Sequence, residues 1–144
     1  MTVPACPLCF AAGGALVFQG EKFRVIRAEE AAFPAFYRLV WSAHVLELSD
    51  LDVTERNLCM AAVNAVELTL RGHLQPTKIN LAALGNKVPH LHWHVIARFD
   101  WDSHFPEPLW AGPKRPLDRD RLDAVHARLG LLEQDMAARL AQLL

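Results

Sequence analysis

Residues 90–96 read His90-Leu91-His92-Trp93-His94-Val95-Ile96, three histidines alternating with apolar residues. Period-two alternation is the pattern of a half-buried β-strand, whose successive side chains point to opposite faces. A strand over about Val88 to Phe99 would turn His90, His92 and His94 to one face. Leu91, Trp93, Val95 and Ala97 would then point into a core. Each imidazole needs a polar partner or water, so a chance pattern among seven histidines competes with two chemical readings. One is a three-histidine metal site. The other is a phosphoryl- or nucleotidyl-transfer site with one histidine as nucleophile. Ligands at i, i+2 and i+4 on a straight strand span roughly 13 Å, so a single ion would require a bend.

Outward from this stretch, Lys78 to Ala82 is predicted to be a strand and Leu84-Gly85-Asn86 a turn. Asp52 followed by Glu55 fits a capping box. Leu58, Cys59, Ala62, Val63, Ala65, Val66 and Leu70 recur at helical spacing, predicting a helix from about Val53 to His73, ended by Gly72 and Pro76. Cys59 falls in that core stripe. Leu16 to Phe18 and Phe23 to Arg27 form a hairpin around Gln19-Gly20-Glu21-Lys22, and Phe36 to Trp41 is a third strand rich in aromatic and β-branched residues. Residues 1–15 are small and loop-like, with a Cys6-Pro7-Leu8-Cys9 knuckle. Asp100 to about Leu117 is a Pro-rich loop. Residues 118–144 form one helix through Leu122, Val125, Leu129, Leu132, Met136, Leu140 and Leu143, covering the sheet or packing on a partner chain. The expectation is one α+β domain over residues 1–144, with an antiparallel sheet of about five strands and two main helices.

The chain has 144 residues, 52% hydrophobic and 22% charged, with a formal net charge of −1. That composition supports a core and argues against nucleic acid as the main partner, which favours a basic excess. No apolar run reaches membrane-spanning length. The N-terminus does not read as a secretory signal. Three cysteines make no disulfide framework, so a cytoplasmic location is expected. There is no Gly-rich phosphate loop ending in Gly-Lys-Ser/Thr and no Gly-x-Ser-x-Gly elbow. Cys6-x-x-Cys9 supplies two of the four ligands a structural zinc needs.

The run from His90 to Ile96 resembles the His-φ-His-φ-His-φ-φ signature, with φ apolar, of the histidine-triad (HIT) superfamily. Lys78-Ile79-Asn80-Leu81, Leu84-Gly85-Asn86 and Val88-Pro89 resemble the strand and turn before the triad. His44-Val45-Leu46-Glu47-Leu48-Ser49-Asp50-Leu51 resembles the segment before the first long helix. The likeness covers roughly residues 15 to 110. It implies a nucleotide hydrolase or transferase acting at an α-phosphate, with a nucleoside phosphoramidate or dinucleoside polyphosphate as substrate. His92 would be the nucleophile that forms a nucleotidyl-histidine, and His94 would hydrogen-bond phosphate or assist the leaving group. Asn80 would donate its amide to phosphate or ribose, and the Gly85-Asn86 turn would offer backbone N–H groups to the anion. In some relatives, and in the related galactose-1-phosphate uridylyltransferases, a cysteine pair joins an upstream histidine and the first triad histidine around zinc. That pattern carries over to Cys6, Cys9, His44 and His90 as a structural zinc site, with no organic cofactor. A homodimer is a further implication. Lys87 departs from many relatives, which have a small hydroxyl residue there. The alternatives are a non-catalytic nucleotide- or metal-binding module, or a sugar-phosphate nucleotidyltransferase. Arg98 is read as a phosphate helper or a solvent-facing strand end, Trp101 and Trp110 as base-stacking, dimer-contact or packing residues. His104 lies in a loop that could approach the nucleotide. His73 and His126 read as surface residues.

Overall fold

A computed structural model describes residues 3–144; Met1 and Thr2, which open the N-terminal knuckle segment, lie outside the described residues. After a short helix α1 (Pro7–Phe10), strands β1 (Ala15–Gln19), β2 (Phe23–Arg27) and β3 (Phe36–Trp41) follow in sequence. A 3-10 turn (Leu48–Asp50) leads into helix α2 (Val53–Leu74). Strands β4 (Lys78–Ala82) and β5 (His92–Arg98) come next, then helices α3 (Arg119–His126) and α4 (Leu129–Ala141). The fold is α+β, with one antiparallel sheet in the order β1-β2-β3-β5-β4. None of the described helices is long and apolar enough to cross a membrane.

The sheet's two faces have different tasks. Phe23, Val25, Tyr37, Leu39, Trp41, Val95 and Ala97 project toward α2 and α4 and form the main core with Cys59, Val63, Val66, Leu70, Leu132, Met136 and Leu140. The last helix therefore covers this chain's own sheet, packing on α2 and β1. The opposite face holds two smaller apolar clusters. Cys6 and Leu8 of the N-terminal segment pack on Ile26 and Val40, and Ala28 and Phe33 pack on Phe36 and Ile96. His92 and His94 lie on this second face between the two clusters, because Val40 pairs with His92 and Phe36 with Ile96 in the β3–β5 register.

Three expectations need correction. The last strand begins at His92, not Val88. The backbone N–H of His90 donates to the carbonyl of Val88 at 2.8 Å, a tight turn that takes His90 out of the pleat. Gly72 does not end α2. The helix runs two residues further and is capped by Gln75 in the left-handed region (φ 44°), whose N–H returns to the carbonyl of Arg71 before Pro76 forbids continuation. The C-terminal helix is broken at Ala127–Arg128 into α3 and α4. There the N–H of Arg128 bonds back only three residues, to Val125. Its guanidinium is tied to the carbonyl of His73 at 2.8 Å, and Gly130 weakens helix propensity two residues on.

Candidate active site and metal centre

His92 and His94 stand on alternate positions of β5 and share the open face, their ring centroids 5.1 Å apart. His90 does not join them. Its ring is almost fully buried and turned toward the N-terminal segment. The expectation of three histidines on one strand face therefore holds for two of them, because the turn at Val88 rotates the first away.

The hydrogen bonds assign the tautomers. His90 Nε2 lies 2.6 Å from the carbonyl of Trp41, and His92 Nδ1 lies 2.6 Å from the carbonyl of His90. A carbonyl only accepts, so each of these ring nitrogens carries the proton. His90 Nδ1 and His92 Nε2 are left with free lone pairs. The first is 3.4 Å from Cys6 Sγ, 3.7 Å from Cys9 Sγ and 3.3 Å from His44 Nδ1. Cys9 Sγ and His44 Nδ1 are 3.5 Å apart. All four donor atoms lie within 4.8 Å of one another. A tetrahedral ion with N and S bonds of ordinary length would give edges of about 3.3 Å between nitrogens and about 3.6 Å from nitrogen to sulfur. The observed spacings match, so the cluster fits a metal ion of tetrahedral preference. Cys59, by contrast, is fully buried in the core, and burial pushes its thiol up to about 11.

His92 and His94 line a cavity of about 1050 Å³. Pro7 and Leu8 wall one side, Pro108 to Trp110 another, and the β4–β5 turn from Leu84 to Val88 a third. Asn80, Gly85 and Asn86 all line it, as do Lys87 and the exposed Trp110. Gly85 has φ +69°, which a side chain would oppose. A second cavity, about 580 Å³ between Trp101 and Arg115–Asp120, contains no histidine. Burial lowers the pKa of both cavity histidines. The His90 carbonyl partly offsets this for His92, and nearby Arg38 adds to it. His94 is held down to about 4, by burial first and then by His92 and Arg38. Both rings are therefore neutral at pH 7, and His94 Nδ1 is buried without a partner among the described residues.

Neither reading of Arg98 survives: its side chain is 2% exposed and paired with Asp102 at 2.8 Å. Its Nη1 donates to Asn80 Oδ1 at 2.9 Å and its Nη2 to the carbonyl of Glu107 at 2.8 Å. The guanidinium thus binds the Pro-rich loop to β4. By engaging the Asn80 oxygen, it also leaves that amide's hydrogens for the cavity. Trp101 stacks on Phe99 at 4.8 Å and packs against the core. His104 contacts Phe33 and Ser103 rather than lining the cavity. His73 is paired with Asp135 at 2.9 Å. Arg38, across from His94 in the β3–β5 register, is the cavity residue that sequence reasoning missed. The signal was a single charge in an otherwise apolar strand, Phe36-Tyr37-Arg38-Leu39-Val40.

Residues 12–101 match the HIT domain. The chain belongs to the HIT domain family. Among solved structures, this HIT chain is similar to a histidine triad protein from Bradyrhizobium japonicum (29% identity, 87% of this chain and 92% of that one, TM-score 0.71). It is also similar to one from Marinobacter aquaeolei (26% identity, 88% and 93%, TM-score 0.68). A zinc-bound histidine triad family protein from Mycobacterium smegmatis shares the fold at 20% identity (96% and 95%, TM-score 0.59). No curated protein matches the HIT chain.

Proposed function

We propose that this HIT protein is a nucleotide hydrolase. It would cleave at the α-phosphate of a nucleoside phosphoramidate or dinucleoside polyphosphate through a nucleotidyl-histidine on His92. The observation that carries this reading is the 2.6 Å bond from His92 Nδ1 to the His90 carbonyl, which leaves an unprotonated Nε2 on a ring that lines the cavity. Nε2 donates its lone pair to the α-phosphorus. The bond to the leaving group breaks, and that group departs with the bonding pair and takes up a proton. Water then attacks the phosphorus, the N–P bond breaks, and nucleoside monophosphate is released. His94, Asn80 and the Gly85-Asn86 backbone hold phosphate oxygens or ribose through the crossing.

Cys6, Cys9, His44 and His90 would hold a zinc ion. Two thiolates and two imidazoles at tetrahedral spacing suit zinc, which is what the Mycobacterium smegmatis protein holds. The ion's contribution is structural. By holding the His90 ring, it would fix the residue whose backbone carbonyl orients His92. The HIT chain pairs with a second copy through the β4 edge, where Leu81 is exposed; light scattering at a dimer mass supports that, and a monomer mass rejects it.

Incubation with adenosine phosphoramidate and with a diadenosine polyphosphate tests the main reading. Turnover by the unmutated protein, its loss in His92→Ala, and an acid-labile nucleotidyl adduct on His92 by mass spectrometry are the expected results. Nucleotide binding with no product would favour a non-catalytic module. Product that appears only with a sugar-phosphate acceptor would favour a nucleotidyltransferase.

A further inference from the structure

Arg38 is a half-buried cation with no assigned partner. It sits mid-strand on β3, directly across from His94 and on the same face as both cavity histidines. Its guanidinium lies 5.0 Å from the centroid of the Phe36 ring, which supports one side of the plane. Among the described residues it makes no side-chain hydrogen bond and no ion pair within 4.0 Å. The one carboxylate lining the same cavity, Glu30, stays beyond that distance. Arg98, fully buried on the same face, shows what the fold does with a structural guanidinium: four hydrogen bonds, to Asp102, Asn80 and the Glu107 carbonyl. Arg38 has none of these. A guanidinium removed from bulk water, buttressed by an aromatic ring and left without an acceptor costs stability unless a ligand supplies one.

The neighbouring groups narrow the ligand. Lys78 and Lys87 line the cavity with Arg38, against the single carboxylate of Glu30. Lys78 Nζ already donates to a backbone carbonyl. The α-phosphate, placed at His92 Nε2, has His94, Asn80 and the Gly85-Asn86 backbone for partners. Arg38 is a further strong anion donor beyond that set. Its fixed fork of N–H groups suits a second phosphoryl group bonded through oxygen to the first. It would repel a leaving group that carries a protonated amine.

Resting on the reading of the cavity as a nucleotidyl-transfer site, we infer that Arg38 binds the phosphoryl group on the leaving side of the α-phosphate. The substrates are thus pyrophosphate-linked nucleotides rather than phosphoramidates of cationic amines. Arg38 is a specificity-determining residue.

Calorimetric binding of adenosine 5′-monophosphate and adenosine 5′-diphosphate in magnesium-free buffer tests this. The unmutated protein is expected to prefer the diphosphate by roughly tenfold or more, the scale of a charge-assisted pair. Arg38→Gln should collapse that ratio toward one, and Arg38→Lys should restore part of it. Matching far-UV spectra and melting curves establish that the variants are folded. If Arg38→Gln weakens both nucleotides equally, or leaves the ratio intact, the assignment of Arg38 is overturned while the nucleotide cavity stands. If the unmutated protein binds neither nucleotide, the underlying reading falls and this inference with it.

Discussion

At the scale of single residues, His94 shows how burial sets a protonation state. The titratable and charged groups that face it are His92 on its own strand and Arg38 on β3, and both disfavour a proton on its ring. With a pKa near 4 in the folded chain against 6.5 for an ordinary histidine, the unfolded chain binds a proton across that window and the folded chain does not. The stability contributed by the neutral ring is fully present above pH 6.5 and is lost as the pH falls toward 4. Urea midpoints between pH 7 and pH 4.5 should therefore fall less steeply in His94→Gln than in the unmutated protein; identical slopes would show that His94 is not the group responsible. The Arg98–Asp102 pair makes a second residue-scale case. Burial alone would raise the Asp102 carboxyl, but hydrogen bonds from Arg98 and from the backbone of Phe99 and His104 hold it below the usual range. Asp102→Ala would strand a guanidinium that is 2% exposed. A loss of about 3–5 kcal/mol in urea denaturation at pH 7 is expected. A loss under about 1 kcal/mol would mean that water replaces the carboxylate.

Elements were legible to the extent that their signals were local. β2, β3 and β4 begin and end where β-propensity and turn residues place them. Asp52 caps α2 as expected, accepting from the N–H of Glu55 at 2.8 Å. The long-range signals were hidden. The alternation from His90 to Val95 is unbroken in the sequence, yet the strand starts at His92 because His90 is drawn to the Trp41 carbonyl and to Cys6, Cys9 and His44. Arg98 sits at a strand end, where charge normally meets solvent, and only the returning loop buries it. Nothing local to Arg38 marks it as a cavity residue, because the other walls, the N-terminal segment and residues 108–110, come from distant parts of the chain. Gly72 reads as a stop signal, but it lies inside the last turn of α2, and a Cβ there would meet no atom within 4 Å. Gly72→Ala should therefore stabilise the protein by about 0.5–1 kcal/mol, read as a higher urea midpoint. A destabilisation would show that the glycine is needed by a contact outside this chain.

Across the whole molecule, the Cys-His cluster joins parts that local structure leaves separate. Cys6 and Cys9 belong to the N-terminal segment, His44 to the loop after β3, and His90 to the turn before β5. The N-terminal segment is otherwise held by Cys6 and Leu8 against Ile26 and Val40, and by Arg24, which donates to the carbonyls of Leu8, Ala11 and Ala12. These contacts dock the segment on the sheet but do not fix the His90 ring. A metal that binds the folded cluster and not the unfolded chain adds about 4 kcal/mol at a thousandfold excess over its Kd, or roughly 10 °C in Tm for a chain of this size. Protein purified without added metal should therefore contain one zinc per chain by elemental analysis. A chelator should lower Tm by about that amount, and Cys6→Ser should bind little metal and melt near the chelated protein. Because His90 supplies the carbonyl that orients His92, metal loss should also slow the proposed nucleotidyl transfer at temperatures well below the lowered Tm. Cleavage by a protease within residues 3–14 should rise before the sheet unfolds, since that segment would lose its metal tether while its apolar contacts persist. Metal-free protein with unchanged melting and unchanged cleavage would leave the four donors as a packed hydrogen-bonding cluster, and the His90 ring would then be held by that cluster and by the Trp41 carbonyl.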